Sequence, residues 1–545
     1  MVRDLRQLAD TRFDVLVIGA GVYGAATAWD AAARGLSVAV IDRGDFGGGT
    51  SFNSLKTLHG GLRSLQALDF VQMRRFIRER RALARIAPHL VRPLPFVVPT
   101  TGGLTRSRLA LRVALAVNDL VARDRNQGLE DPALHLPDGR VVSRAEALRL
   151  NPLIASEGVT GGAVWYDYQM TNADRVTFAF VRSAVASGAL AANHVEATGF
   201  LVESNRVAGA HVRDRFSGAT FEVRARVVVN AAGAWAPELV GTLPGGASAV
   251  PAPRLSRAMN IVLDGPVVAH ACGGVVDGRF LFIVPWRDRA ILGTSHDVHT
   301  GPPDRLSVSR ADLEDFLRDG RTAFPGAEIG RARVRLVHRG LLPMVSGRDK
   351  QVSLLRESAV VDHAAHRAPG LVSLHGVRYT TARYTAQEAV DVVFRVLGRA
   401  QAPECRTART PLAGGDVPDV GALVRRARAT SGTPLSPTAL ARLVLTYGTD
   451  YERVLPLAAA DPALAEPLGP QCAVTGAEIA YATQNEMALT LADALIRRTE
   501  AGSAGHPGTE AIDRAATLMA SLHQWTDARR ADEIAAVEAF YRLPE

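Results

Sequence analysis

Lysine is almost absent from this 545-residue chain: it occurs at Lys56 and Lys350 only, against 61 arginines. The arginines are scattered through helices and loops and do not cluster with aromatics, which argues against a nucleic-acid surface. Cysteine is scarce as well. Cys272, Cys405 and Cys472 lie far apart with no CxxC pair, which argues against a disulfide framework or a zinc site and fits a reducing, cytoplasmic compartment. No uninterrupted apolar run reaches the roughly 18 to 20 residues of a spanning helix; the apolar stretch from 13 to 41 is broken by Asp14, Asp30 and Arg34. The chain is expected to be soluble, or at most to touch the cytoplasmic face of a membrane. Internal repeats are lacking too.

Hydrophobic residues make up 47% and charged residues 22%, ordinary values for a globular protein. The length calls for two or three domains, or one large interleaved one. A formal charge of +8 favours anionic partners such as phosphorylated metabolites. Helices are expected over 68–87 and 174–187, and an amphipathic helix with a basic face over 104–125. Strands are expected within 258–300 and 331–361. The Pro- and Gly-rich stretch 402–420 reads as a linker to a C-terminal helical domain, separable and without contacts to a cofactor.

The run FDVLVIGAGVYGAATAWDAAARGLSVAVIDRG, residues 13–44, reads as strand, glycine turn, helix and strand, the start of a βαβ unit. Gly19, Gly21 and Gly24 form GxGxxG, and Asp42 ends the second strand. Such glycines let backbone approach a pyrophosphate at a helix N-terminus, and the acid accepts from a ribose hydroxyl. NAD and FAD both satisfy this pattern. RVVVNAAGAWA, residues 226–236, adds a buried strand ending in small residues, among them Ala232 and Gly233. GLVSLHGVRYTTARYTAQEAVD, residues 370–391, repeats the strand, glycine, helix layout with Gly376, Thr380 and Thr381. In this order the three segments favour FAD.

Directly after the first unit, TSFNSLKTLHGGLRSL, residues 50–65, brings together Thr50, Ser51, Lys56, His59, Gly60, Gly61 and Arg63. With APHLVRPLPFVVP, YDYQMTNADR, VPWRDRAILGTSHD and EIAYATQNEMALTLADALIRRT, the chain resembles the FAD-dependent glycerol-3-phosphate dehydrogenase family over most of its length. The resemblance implies a glutathione-reductase-like FAD-binding Rossmann-type domain interleaved with an α+β substrate subdomain across 1–401, and a C-terminal helical domain across 402–545. It implies that the 50–65 run passes the flavin, with Thr50, Ser51, Lys56 and Gly60 at the cofactor. His59 is then either a structural histidine or the group that takes the substrate's hydroxyl proton, a task that suits imidazole at neutral pH. Arg378 and Arg356 would hold an anionic substrate. A quinone is the expected acceptor; membrane contact and homo-oligomerisation stay open.

Two departures from the family pattern bear on the substrate. Where the family has an arginine in G-x-R-P, this chain has Leu342 in RGLLPM; where it has K-x-T-T-Y, this chain has Arg378 and Ala382 in RYTTA. Arginine keeps a bidentate grip on phosphate or carboxylate. Leucine cannot, so Arg335 or Arg339 would supply the charge, or the substrate differs. An amino- or hydroxy-acid oxidase and a decayed flavin-binding protein are the alternatives. His296 in GTSHD reads as a loop variation, and His296, Asp297 and His299 as no metal site.

Overall fold

A computed structural model of the chain describes residues 1–244, 253–265, 268–348, 351–399, 401–429 and 432–545; Lys350 lies outside them. Among the described residues the strands form an eight-stranded sheet, a ten-stranded sheet and one short two-stranded pair. The first sheet is parallel at its centre. Strand Arg12–Ile18 lies between Val38–Ile41 and Thr220–Asn230, and Leu371–His375 lies beyond the latter. Where these strands lie side by side, at Val15–Ile18, Val38–Ile41 and Val227–Val229, they are continuous buried Val, Leu, Ile and Ala because both faces are covered. Helices Val22–Ala33, Ala173–Ala186 and Ala382–Val396 cover one face and share its core.

The second sheet is mostly antiparallel and carries the segments expected over 258–300 and 331–361, with Arg254–Leu263 between Arg289–His299 and Val334–Arg348. Thr57–Leu58, from the 50–65 run, forms its edge beside Gly161–Met170. Chain segments thus pass from one sheet to the other and back, as the interleaved reading requires.

The C-terminal part is helical, from Val420–Arg428 to Asp527–Tyr541. It is not separable in the way the sequence suggested. Phe52 of the 50–65 run and Trp286 of the second sheet share one hydrophobic core with Leu491, Leu495, Ile512 and Val537. The expected linker is pinned down: Leu412 N donates to Ile86 O at 2.9 Å, Ala413 N to Ser183 Oγ at 2.9 Å, and Leu412 is buried. Composition alone made this stretch read as a linker; its backbone hydrogen bonds hold it against the first domain.

Candidate active site

The glycine turn follows strand Arg12–Ile18. Gly19 sits at φ +92°, and a Cβ there would lie 2.6 Å from Ala231 O and 2.9 Å from the Ala232 Cα. A Cβ on Gly24 would overlap the Gly19 carbonyl. Only glycines permit this closeness of turn, helix and the Ala231–Gly233 segment. Gly21 is the N-cap of helix Val22–Ala33 and offers no side chain; instead Ser51 Oγ accepts from Val22 N at 2.9 Å. Ser51 therefore stands at the positive helix N-terminus, where an anionic group is favoured. Asp42 accepts from Ala20 N at 2.7 Å and Gly44 N at 2.9 Å, and its carboxylate keeps lone pairs for a ribose hydroxyl. The turn, the bare helix end and this acid fit the pyrophosphate and ribose of FAD. Next to them a cavity of about 270 Å³ is lined by Gly48, Gly49, Thr50, Trp235, Arg339 and Gly340, among others.

The third segment folds back onto the first. Tyr23, in the opening turn of the helix, accepts from Arg378 N at 2.9 Å and Val377 N at 3.1 Å and donates to Arg378 O at 2.7 Å. Its ring occupies the space a Cβ on Gly376 would need. Thr380 Oγ1 accepts from His59 N at 3.1 Å, and Thr381 Oγ1 donates to Arg378 O at 3.4 Å. The 50–65 run and the 376–381 segment thus meet at His59.

His59 has a partner the sequence reading missed. Its Nδ1 lies 3.2 Å from Asp167 Oδ2, and the imidazole is 51% exposed while Asp167 is buried. Asp167 also accepts from Gly60 N at 2.7 Å and from the Arg80 guanidinium. Burial pushes the carboxyl pKa up, but the His59 hydrogen bond and the Arg80 charge outweigh it and hold it below the ordinary value. An ionised Asp167 fixes Nδ1 as the protonated nitrogen, which leaves Nε2 as the open, proton-accepting end. A Cβ on Gly60 would collide with the Arg80 guanidinium, so that glycine lets the arginine reach its acid. The one sequence signal was an acid inside an otherwise buried strand, Gly161–Met170.

Two guanidiniums near His59 lack an acid among the described residues. Arg378 is half-buried, its Nε has no partner, and its charge lies 5.3 Å from the Phe76 ring centroid. Burial, and after it the charge of Arg63, lower its pKa. Arg63 is exposed and was given no role on its own in the sequence reading. Gln72 accepts from Ser64 Oγ at 3.0 Å and donates to Arg356 O at 2.9 Å, which ties the chain at Arg356 beside Arg63; the Arg356 side chain itself is exposed.

Several expectations need correction. Lys56 is fully buried, and its ammonium donates to Phe52 O between the rings of Phe52, at 4.6 Å, and Trp286, at 5.4 Å. It supports the loop from beneath instead of contacting a cofactor. Thr50, by contrast, keeps its place in the lining of the cavity beside the glycine turn, its Oγ1 donating to Leu341 O at 3.1 Å and accepting from Leu341 N at 3.2 Å. Arg335 pairs with Asp264, and Arg339 projects from the strand face opposite to Leu342. Neither replaces the missing arginine. Leu342 lies across from Ser256, whose Oγ is 3.3 Å from His296 Nδ1. His296 is thus part of a strand and not a loop variation. Burial and the Arg63 charge hold its pKa down to about 4, so the site has a neutral imidazole there. Asp297 pairs with Arg257 and His299 contacts Pro302 O. The compact group Asp45, His194 and Asp493 is filled by Arg497 and Arg498, which pair with its carboxylates.

The chain matches the model of the FAD dependent oxidoreductase family over residues 14–429 and that of the C-terminal domain of alpha-glycerophosphate oxidase over 405–530. It is 34% identical to glycerol-3-phosphate dehydrogenase 2 of Mycobacterium tuberculosis over 98% of this chain and 89% of that protein. It is 31% identical to a glycerol-3-phosphate dehydrogenase of Synechocystis sp. over 91% and 90%. The fold matches that of glycerol-3-phosphate dehydrogenase from Bacillus halodurans complexed with FAD, with a TM-score of 0.76 and 22% identity over 98% of this chain and 95% of that one. With matches of this extent, and a glycine turn and acid that suit the cofactor, the chain belongs to the FAD-dependent oxidoreductase family.

Proposed function

We propose that the chain oxidises sn-glycerol 3-phosphate to dihydroxyacetone phosphate and passes the electrons on to a quinone. The observation that carries this reading is the pair Arg63 and Arg378, two guanidiniums without acid partners among the described residues, beside a histidine whose open nitrogen is fixed by Asp167. Cations left unpaired in a partly buried site suit a dianionic substrate. Bound FAD supplies the hydride acceptor. Arg378 and Arg63 hold the phosphate, Arg356 extends the cationic rim, and His59 Nε2 takes the hydroxyl proton as the carbinol C–H bond breaks. Gly19, Gly21, Gly24, Asp42, Ser51, Ala232 and Gly233 hold the dinucleotide, and Gly60, Gly376, Thr380 and Thr381 shape the backbone beside the ring. The reading also divides the chain at 401/402, supported by the C-terminal match from residue 405.

Leu342 favours a second reading, an amino- or hydroxy-acid oxidase, because an apolar side chain next to Ser256 and a neutral His296 stands where the family places a cation. Anaerobic titration decides between them. Bleaching of the flavin by glycerol 3-phosphate supports the first reading; bleaching only by an amino or hydroxy acid refutes it.

A further inference from the structure

Side-chain direction on the second sheet decides what His296 faces. Arg257 and Asp297 lie opposite one another in the register of Arg254–Leu263 and Arg289–His299. They pair with each other, and Arg257 also pairs with Asp312 at the start of helix Arg310–Ala323. Met259, on the same side of its strand, shares a core with Leu313 and Phe316 of that helix. Neighbouring positions on a strand point the other way. Ser256, Ala258 and His296 therefore turn away from the helix, and Gly340 and Leu342, opposite Ala258 and Ser256, turn with them.

That face looks onto the anion side of the site. Leu62 and Phe282 border one small core, and Phe282 pairs with Gly293 of the strand that carries His296. Arg63 follows Leu62, and its charge bears on both Arg378 and His296. The imidazole has room, because the residues beside it in its row are Ala258 and Gly340. Its Nδ1 lies 3.3 Å from Ser256 Oγ, while Nε2 has no partner among the described residues. Held neutral by burial and Arg63, the ring carries one N–H and no charge.

We propose that His296 is a substrate-binding residue whose Nε2–H donates to the phosphate from the sheet, in the part of the site where the family pattern has an arginine at the position of Leu342. Ser256 links the two positions. It lies opposite Leu342 and beside Nδ1, and a hydroxyl that donates to Nδ1 places the ring proton on Nε2. The number of oxygens makes this a phosphate contact. A carboxylate has two, which the Arg63 and Arg378 guanidiniums satisfy; a phosphate monoester presents a third, which needs one more donor. A neutral donor supplies it without a further cation to desolvate. The charge lost at Leu342 is thus replaced by a hydrogen bond. This assignment rests on the proposed oxidation of glycerol 3-phosphate.

The test is anaerobic flavin reduction by glycerol 3-phosphate in the flavin-loaded full chain, with inorganic phosphate as competitor. His296→Leu removes the donor. It should raise the half-saturating substrate concentration roughly ten- to a hundredfold, lower the limiting rate far less, and weaken inhibition by inorganic phosphate by a similar factor. His296→Gln, whose amide can donate, should keep most of the affinity. Leu342→Arg should lower half-saturation more in the His296→Leu background than in wild type, since the two residues then serve one oxygen. Half-saturation and phosphate inhibition that do not move in His296→Leu overturn the proposal. So does a His296→Leu chain that loses flavin, or whose limiting rate falls as far as its half-saturation rises, because either result makes the histidine structural. A wild-type flavin that glycerol 3-phosphate fails to bleach refutes the proposed function and this contact together, whereas a bleached wild type with unmoved variants refutes the contact alone.

Discussion

Arg498→Met probes whether the C-terminal region is an appendage or a wall of the cofactor site. The Arg498 guanidinium is fully buried, gives Asp45 a bidentate pair at 2.6 and 2.7 Å, and donates from Nε to Glu486 O at 2.8 Å. It also lies 4.1 Å from the Phe178 ring centroid. Asp45 belongs to the loop that starts at Asp42, so this contact ties the C-terminal region to the cofactor turn. Breaking a buried pair by removing one partner costs about 3 to 5 kcal/mol because a charge stays behind in low dielectric. Arg497 still reaches Asp45 at 2.6 Å, so the lower end, about 3 kcal/mol, applies. The expected result is that flavin release and loss of helical signal shift down together in a thermal melt. Adding Asp45→Asn removes the stranded charge and should recover part of the loss. If the variant released flavin at the wild-type temperature while a separate helical transition fell, the C-terminal region would be independent and the reasoning wrong.

Further substitutions address the site itself. His59→Gln should slow flavin reduction by about 10²- to 10⁴-fold, the usual contribution of a positioned base, at unchanged flavin content; normal reduction rates would remove His59 from the chemistry. Arg378→Leu should raise KM for glycerol 3-phosphate roughly ten- to a hundredfold, as expected for a lost charge-assisted contact, and Leu342→Arg should lower it; if neither moves KM, the anion lies elsewhere. Lys56→Met should be tolerated better than Lys56→Arg, because the space between Phe52 and Trp286 takes a compact ammonium or thioether but strands a guanidinium's donors; equal melting and flavin retention would refute this. Because His296 is held neutral down to about 4, the unfolded chain takes up a proton between about pH 6.5 and 4 that the folded one does not. Stability should fall across that window as pH drops, and His296→Gln should flatten the fall by about 2 to 3 kcal/mol, measured by denaturant titration at pH 7 and pH 4.

The parts of this molecule that were legible in the sequence are those whose geometry is set within a few residues. The GxGxxG turn is such a part, since Gly19 and Gly24 must be bare for reasons that lie in the turn and its neighbouring strand. His59 is another, because the glycines beside it announce a close approach. Lysine rarity at position 56 was a true signal with the wrong meaning: the site selects a compact ammonium for a slot between two rings, and a cofactor contact would have allowed arginine. The illegible parts depend on distant partners. Asp167 reaches His59 only through the pairing of Leu94 with Asp167 and of Leu58 with Tyr168, registers that no local pattern specifies. Arg498 is one of 61 arginines and acquires meaning 453 residues away from its acid.

Helix Arg108–Val121 shows the same limit from the other side. Its period was visible, but periodicity gives a stripe and not the direction in which the stripe points. That direction follows from what already fills the inner side, where Leu115 packs with Val98 and Ala163 beside Leu111, and Val121 packs against Met73 and Ile77, which leaves Leu109, Val113 and Leu120 outside. Leu109, Val113 and Leu120 then add little buried area within the folded chain, so the period visible in the sequence fixes the stripe while tertiary packing fixes its direction.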